Sequence, residues 1–172
     1  MNRNDFRTLY THNDWANDRL VQMLTHAFGE ETDLRASDDP AVRTIQRTAV
    51  HLVGSLAVWR SRWEGISPKA MLDPADYPTP LALRMAFGAE RARFWGFFEN
   101  LTSDDALDRI VHSTNTYGEP RILPLTQMMQ HVLLHSAYHR GQITALLHHR
   151  GHSDTHQDTD FLFFALEQAK SE

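Results

Sequence analysis

Apolar side chains recur every three to four residues along four stretches of the chain, and this spacing is typical of helices that each bury one face. The first helix is predicted from about Asp5 to Phe28, where Gly29 can end it. The second begins at Ser37-Asp-Asp-Pro40, a polar cap followed by an early proline, and ends near Gly65. The pattern in the N-terminal part of the chain therefore predicts two long amphipathic helices.

Two further long helices and one short helix are predicted in the C-terminal part. The third helix begins at the cap Thr79-Pro80 and runs to about Asn100. The fourth extends from Leu125 to Arg150 and ends before Gly151, and a short fifth helix extends from Phe161 to Lys170.

The connections between these helices are long. Four of the seven prolines lie between Ser67 and Pro80, which predicts a loop that crosses the surface. Residues 107–123 contain two short apolar runs around Asn115, Gly118 and Pro120, so they form either a short hairpin or an irregular excursion. We therefore predict an all-α fold over residues 1–172 as one domain, with connections too long for a tight up-and-down series of hairpins.

The composition narrows the possible partners. At 172 residues, with 41% hydrophobic and 23% charged residues, the chain is long enough to bury one core. The net charge is −5, and lysine and arginine are scattered, so nucleic acid is not an expected partner. There is no cysteine, so disulfides and a cysteine nucleophile are excluded, and any thiol chemistry must use the sulfur of another molecule.

The sequence also lacks signals for a membrane or for secretion. The N-terminus leads into a mixed polar segment without an apolar signal core, and no run approaches the roughly 18 apolar residues that a bilayer span needs. We therefore expect a cytoplasmic location and no membrane partner.

Three histidines share one stripe of the predicted fourth helix: His131, His135 and His139. The HxxxH spacing suits two metal ligands on one helix. The metalloprotease motif HExxH also has a catalytic glutamate directly after its first histidine, and neither His131 nor His135 is followed by glutamate, so a metalloprotease is disfavoured. A third ligand must come from elsewhere. His51 is the only histidine of the second helix, and a facing helix is where such a ligand is expected.

Each of these histidines also has a structural interpretation. His135 and His139 could be a partly exposed pair on an amphipathic helix, and His51 could be a core histidine with a hydrogen-bond partner. His131 is predicted to be a neighbour of the site, because three consecutive stripe positions would crowd one ion. A second group, which we term the terminal histidine cluster, is predicted to be surface residues that complement the helix dipole; it comprises His148, His149, His152 and His156.

Other polar residues have open roles. Arg140 either binds an anionic substrate or pairs with a nearby carboxylate. Asp14, Asp18 and Glu64 are the candidates for a general acid or base, but none is spaced from a histidine as in a catalytic triad. No GxSxG elbow or phosphate-binding glycine loop is present, so the sequence favours metal-centred chemistry or no chemistry, and no catalytic residue is assigned.

Three segments together resemble the DinB family, also called DinB/YfiT-like proteins, over nearly the whole chain. They are Tyr10-Thr-His-Asn-Asp-Trp15-Ala-Asn17-Asp-Arg-Leu20, His51-Leu-Val and His135-Ser-Ala-Tyr-His139-Arg-Gly-Gln142. The resemblance implies an antiparallel four-helix bundle, often a homodimer, in which three histidines hold a divalent metal. By position in the motifs, those ligands are His51, His135 and His139.

The resemblance also implies a class of chemistry. Relatives with assigned activities use a low-molecular-weight thiol, as S-transferases or isomerases, so the expected function is a metal-dependent enzyme of that type acting on a small molecule. A non-catalytic metal-binding or stress-response protein and a metal-dependent hydrolase are the alternatives. Imidazole suits several ions, and we expect zinc first and nickel next. Gln142 and Asn17 are predicted to orient the ligand rings.

Overall fold

The computed structural model describes residues 1–170. The helices are α1 (Arg3–Phe28), α2 (Pro40–Trp63), α3 (Pro80–Glu99), α4 (Leu125–His149) and α5 (Phe161–Gln168), and the strands are β1 (Ile110–Thr114) and β2 (Pro120–Pro124). Short 3-10 turns lie in the connections. All five predicted helices are confirmed, with ends that differ by a few residues.

Local capping sets the helix ends. The Asn2 side chain accepts from the backbone N–H of Asp5 while the Asp5 carboxylate accepts from the N–H of Asn2, so α1 begins with a capping box. Asp39 caps α2 in front of Pro40. Gly29 ends α1 at φ +88°, a backbone conformation that other residues rarely adopt.

Residues 110–124 contain a small sheet, which corrects the prediction of a purely helical fold. β1 and β2 are antiparallel, with Ile110 opposite Pro124 and Thr114 opposite Pro120. Of the two alternatives for this segment, the hairpin is therefore confirmed. The turn at Gly118, where φ is +83°, allows the chain to reverse between the two strands.

Contacts between the long helices show that two packed pairs are parallel. Tyr10 donates to the carbonyl of Met129, and Arg140 donates to Asn17, so α1 and α4 run in the same direction. α2 and α4 are antiparallel, because Trp59 contacts His131 and His51 contacts His135. α1 and α3 are also antiparallel, as the contacts of Arg7 with Glu99 and of Asp18 with Arg91 show. α2 and α3 are parallel, with Arg60 against Glu90 and Trp63 against Phe97. The antiparallel direction predicted for the helices thus holds for only two of these four pairs.

The connection between α2 and α3 explains the parallel pair. Residues 64–79 return along α2 rather than turning back at its end. Leu72 lies over Gly54, where an added Cβ would sit 3.4 Å from the leucine side chain, and the Gln46 amide donates to the carbonyls of Pro74 and Tyr77 at 2.8 Å each. The chain therefore begins α3 beside the N-terminal end of α2.

The interior has two apolar clusters with a polar layer between them. The polar layer contains Asn13, Asn17 and Arg140, each no more than 3% exposed. One cluster is centred on Phe6, Tyr10, Trp63, Phe94, Phe98 and Met129, and the other on Leu20, Leu24, Ile45, Leu52, Leu83 and Ile143. None of the helices within residues 1–170 has the length and apolar character to cross a membrane.

Candidate metal centre

Three histidines from two antiparallel helices converge on the surface between α2 and α4. One ligand atom from each of His51, His135 and His139 lies within 4.8 Å of the others. The Nε2 atoms of His51 and His135 are 3.0 Å apart, and the rings of His135 and His139 are 4.3 Å apart between centroids. The i, i+4 spacing places the α4 pair on one face, and the antiparallel crossing brings His51 to that pair. We call these residues the three-histidine cluster.

The surroundings of the cluster favour neutral imidazoles. Partial burial, followed by the nearby imidazoles of His139, His51 and His131, lowers the pKa of His135 to about 4. Partial burial and then His139 also lower the pKa of His51 below its usual value. Neutral imidazole is the form that offers a lone pair to a metal ion. At neutral pH His51 and His135 therefore have the protonation state that metal binding requires.

The side chain of Gln142 orients one ring of the cluster. Its Oε1 lies 2.7 Å from Nδ1 of His139, one turn of α4 away. Because the amide oxygen can only accept, Nδ1 carries the proton in this contact, and Nε2 keeps its lone pair. The predicted role of Gln142 in orienting a ring is consistent with this contact.

Asn17 does not contact a histidine, which corrects its predicted role. Its Oδ1 accepts from Arg140 Nη1 at 2.9 Å, and the Oδ1 of Asn13 accepts from the same atom at 2.7 Å. Arg140 is 3% exposed, and burial lowers its pKa to about 10, so it stays charged at neutral pH. Arg140 therefore contacts neutral amides instead of the predicted carboxylate, and it anchors α4 to α1 beside His139.

His131 lies next to the cluster, as predicted for a neighbour. Its ring stacks on that of His135 at 5.4 Å, and Trp59 packs edge-on against the His131 ring at 5.0 Å. His131 is not among the residues whose ligand atoms converge. A continuous row of rings therefore leads from the cluster along α2 and α4.

The carboxylates considered as acids or bases are engaged elsewhere. Asp14 accepts from the indole of Trp95 at 2.8 Å, and burial raises the pKa of its carboxyl to about 6. Asp18 pairs with Arg91, and Glu64 pairs with Arg60. Within residues 1–170, no cysteine, histidine, aspartate or glutamate joins the three-histidine cluster as a fourth ligand.

The terminal histidine cluster does not form a comparable site. His148 and His156 approach to 3.2 Å between Nε2 and Nδ1, and both are exposed. His152 packs edge-on against Phe28 instead. No set of three converging ligand atoms forms here within the described residues.

The donor set of the three-histidine cluster is compatible with a divalent metal. Three neutral imidazoles suit zinc and its first-row neighbours. The His51 side of the cluster is exposed, so a small molecule can reach the same point from solvent. A site with three protein ligands and access from solvent corresponds to the open geometry of catalytic metal sites, whereas structural zinc sites are closed by four ligands.

Both the sequence and the fold of this chain are similar to those of known proteins. The sequence model of the DinB family matches residues 1–170. The crystal structure of a DinB-like protein from Bacillus cereus ATCC 10987 is 23% identical in sequence and superposes with a TM-score of 0.57 over 85% of this chain and 91% of that chain. No curated protein matches the sequence.

Proposed function

Because the chain belongs to the DinB family, we propose that it is a divalent-metal-dependent enzyme that acts together with a low-molecular-weight thiol. The reaction is of the S-transferase or isomerase type, and the metal ligands are His51, His135 and His139. The observation that carries the proposal is the convergence of one ligand atom from each of these three imidazoles within 4.8 Å, on a side of the molecule where His51 is exposed.

The number of ligands favours an enzyme over a purely structural metal protein. A metal that only stabilises a fold is normally enclosed by four protein ligands. Here the described residues supply three ligands, and the close pair formed by His148 and His156 in the terminal histidine cluster is not part of the site. The non-catalytic or stress-response alternative would need a fourth ligand, such as one from another molecule.

The thiol must come from outside the chain, because the sequence contains no cysteine. A divalent ion held by the cluster would supply positive charge that keeps such a thiol as the thiolate at neutral pH. The protein's own part is to hold the imidazoles of His51 and His135 neutral, to orient His139 through Gln142 and to leave the His51 side open. Zinc is the first ion to test and nickel the second, since both accept imidazole ligands.

A metal-dependent hydrolase is less well supported. That reaction needs an acid or base within hydrogen-bond reach of the water that is activated. Asp14, Asp18 and Glu64 instead contact Trp95, Arg91 and Arg60. The homodimer and the cytoplasmic location stay predictions.

A thiol-consumption assay tests the proposal. Zinc-loaded protein is mixed with glutathione or cysteine and an aryl chloride, and loss of free thiol is followed in the wild type, His135→Ala and His149→Ala. We expect metal-dependent thiol consumption in the wild type and His149→Ala, and a loss of at least about 100-fold in His135→Ala, because that variant lacks a ligand. Equal rates of thiol consumption in all three proteins would contradict the thiol-transfer function.

A further inference from the structure

A largely apolar groove lies between α1 and α4, on the side of the molecule where α5 begins. Its volume is about 390 Å³, within the range of about 300–1,000 Å³ that sites for small molecules occupy. Leu9 of α1, Leu134 of α4 and Phe161 of α5 are among the residues that line it. Leu134 and Phe161 are exposed. Because exposed apolar side chains around a groove are typical of a binding surface, this α1/α4 groove is a candidate ligand site.

Contacts with α1 hold the α5 wall of the groove in place. The His12 ring, which also lines the groove, packs edge-on against Phe161 at 5.3 Å. Its Nε2 lies 2.9 Å from the carbonyl oxygen of Thr159. Because a carbonyl can only accept, Nε2 carries the proton in this contact. The wall is therefore formed by contacts within the chain, as is usual for a preformed ligand site.

One buried cation lines this apolar groove. Arg140 and Asn13 both line it, and Arg140 is 3% exposed. The two hydrogen bonds of Arg140 both use Nη1, and their acceptors are the neutral amide oxygens of Asn13 and Asn17. Within residues 1–170, Nε and Nη2 of Arg140 make no hydrogen bond, and no carboxylate pairs with it. Arg140 therefore keeps its positive charge uncompensated and one edge of its guanidinium free.

The missing counter-ion, and not the free Nε alone, distinguishes Arg140 from other arginines of the chain. Arg91 also has a buried Nε without a partner, but the carboxylate of Asp18 pairs with its Nη2. Arg62 has another such Nε, but its guanidinium lies over the face of Trp59 at 4.7 Å, where the ring attracts a positive charge. Neither kind of compensation is found at Arg140 within the described part of the chain.

The α1/α4 groove combines one positive charge with apolar walls. Its lining contains no aspartate or glutamate, and a buried charge is costly unless an opposite charge or several acceptors compensate it. The Nε–H and Nη2–H of a guanidinium are parallel donors that match the two oxygens of a carboxylate. The walls, in contrast, favour hydrocarbon that leaves water. The groove is therefore complementary to a molecule with an apolar body and one carboxylate.

The α1/α4 groove and the three-histidine cluster lie on different sides of α4. Ala137, which lines the groove, is two residues from His135 and two from His139. Two residues of an α-helix differ in direction by about 160° around the helix axis. A molecule in the groove therefore does not contact the histidines, and its binding does not require a metal.

We propose that the α1/α4 groove binds an amphipathic monocarboxylate, an acid with one aliphatic or aromatic body. Its carboxylate accepts from the free edge of Arg140, and its apolar body lies against Leu9, Leu134 and Phe161. This site is additional to the metal centre and does not rest on the proposed function.

Three probes separate the contributions of charge and of apolar surface. Octanoate, 1-octanol and acetate are titrated into metal-free wild-type protein at neutral pH and constant ionic strength, below the concentration at which octanoate forms micelles, and binding is measured by calorimetry. We expect saturable binding of octanoate, at least about tenfold weaker binding of octanol because the carboxylate is absent, and no saturable binding of acetate because the apolar body is absent. No binding of octanoate, or equal affinities for octanoate and octanol, would overturn the inference.

Substitutions place the ligand in the groove. Arg140→Gln removes the charge, so it should abolish the preference for octanoate over octanol while octanol still binds. Because Arg140 also anchors α4 to α1, a variant that does not depend on this residue is needed. Leu134→Glu adds a negative charge at a residue that lines the groove and is 72% exposed, and it should weaken octanoate binding at least about tenfold. Met85→Glu makes the same change of charge at a residue of α3 that is 67% exposed and lies outside the groove, and it should leave binding unchanged. Equal losses in the two glutamate variants would contradict the site.

A second copy of this chain is the alternative occupant of the groove. If two copies cover it, sedimentation of the wild type will show a dimer that Leu134→Glu dissociates, and octanoate will not bind to the wild type. That combination would overturn the inference and assign the groove to an interface. The metal content of the same samples keeps the two claims apart, because one metal ion per chain without octanoate binding would contradict only the carboxylate site.

Discussion

The chain carries two groups of histidines that look alike in sequence and differ in structure. The three-histidine cluster draws His135 and His139 from the middle of α4, where α2 crosses and adds His51. The terminal histidine cluster lies at the end of the same helix, where Gly151 turns the chain at φ +88° and His148 meets only His156. A metal site therefore depends on a facing helix more than on the density of histidines along the chain.

The surroundings of the two groups also differ. Partial burial and then the neighbouring imidazoles keep His135 neutral, with its pKa lowered to about 4, and Gln142 contacts the ring of His139. His148 and His149 are exposed in the last turn of α4, where a protonated histidine interacts favourably with the helix dipole. The first group is thus arranged to bind a cation, whereas the second lies at a helix end that favours a positive charge on the protein itself.

The largest contrast is expected from single histidine deletions. His139→Ala removes one of three ligands and should abolish stoichiometric metal binding, with affinity lower by at least about 100-fold, whereas His149→Ala should leave the metal content unchanged. Metal content is measured by elemental analysis after dialysis. Loss of the metal in His149→Ala together with its retention in His139→Ala would show that the site lies in the terminal histidine cluster.

The three-histidine cluster should also affect the pH dependence of stability. The folded-state pKa of His135 is about 4, below its ordinary value of 6.5, so the unfolded chain binds more protons between these values. The stabilisation from a neutral His135 is fully present above pH 6.5 and is lost as the pH falls toward 4. Denaturant unfolding of the metal-free protein should therefore show a shallower loss of stability between pH 6.5 and 4 in His135→Ala than in the wild type or in Gln127→Leu, which replaces an exposed residue of the same helix. An identical pH dependence in all three proteins would contradict this assignment.

A smaller effect is expected from the residue that orients His139. Gln142→Leu removes the acceptor for Nδ1 and should lower metal affinity by about 10- to 100-fold without abolishing binding. Gln127→Leu is the matched control, because Gln127 is an exposed residue of the same helix and is distant from the cluster in sequence. Competition against a chelator of known affinity measures both. Equal affinities would mean that the contact does not orient the ring.

The smallest effect is expected at the end of α4. His148→Ala removes an exposed residue of the last turn whose ring contacts the exposed His156, so it should cost less than about 1 kcal/mol of unfolding free energy. Thermal unfolding of the wild type and of the variant measures the difference. A larger loss of stability would give this residue a structural role that its exposure does not explain.

Much of the fold could be predicted because its signals are local. The caps at Asn2, Asp39 and Thr79 and the glycine stops lie within a few residues of the helix ends that they set. The direction of α3 could not be predicted in this way. It depends on how residues 64–79 pack along α2, through Leu72 on Gly54, and no periodic pattern records that packing.

The same distinction applies to the site. The His135 and His139 pair follows from spacing alone, and His51 was the only histidine available on the second helix. The contact between Asn17 and Arg140 could not be predicted, because the two residues are far apart along the chain and no local pattern relates them.

The most direct test of the central claim is the metal content of untagged protein purified without added metal, measured beside His51→Ala. His51 is the residue that only the crossing of α2 and α4 can bring to the α4 pair. We expect about one divalent ion per chain in the wild type and loss of that ion in the variant. No metal in the wild type, and none taken up when zinc or nickel is added, would contradict the three-histidine metal site.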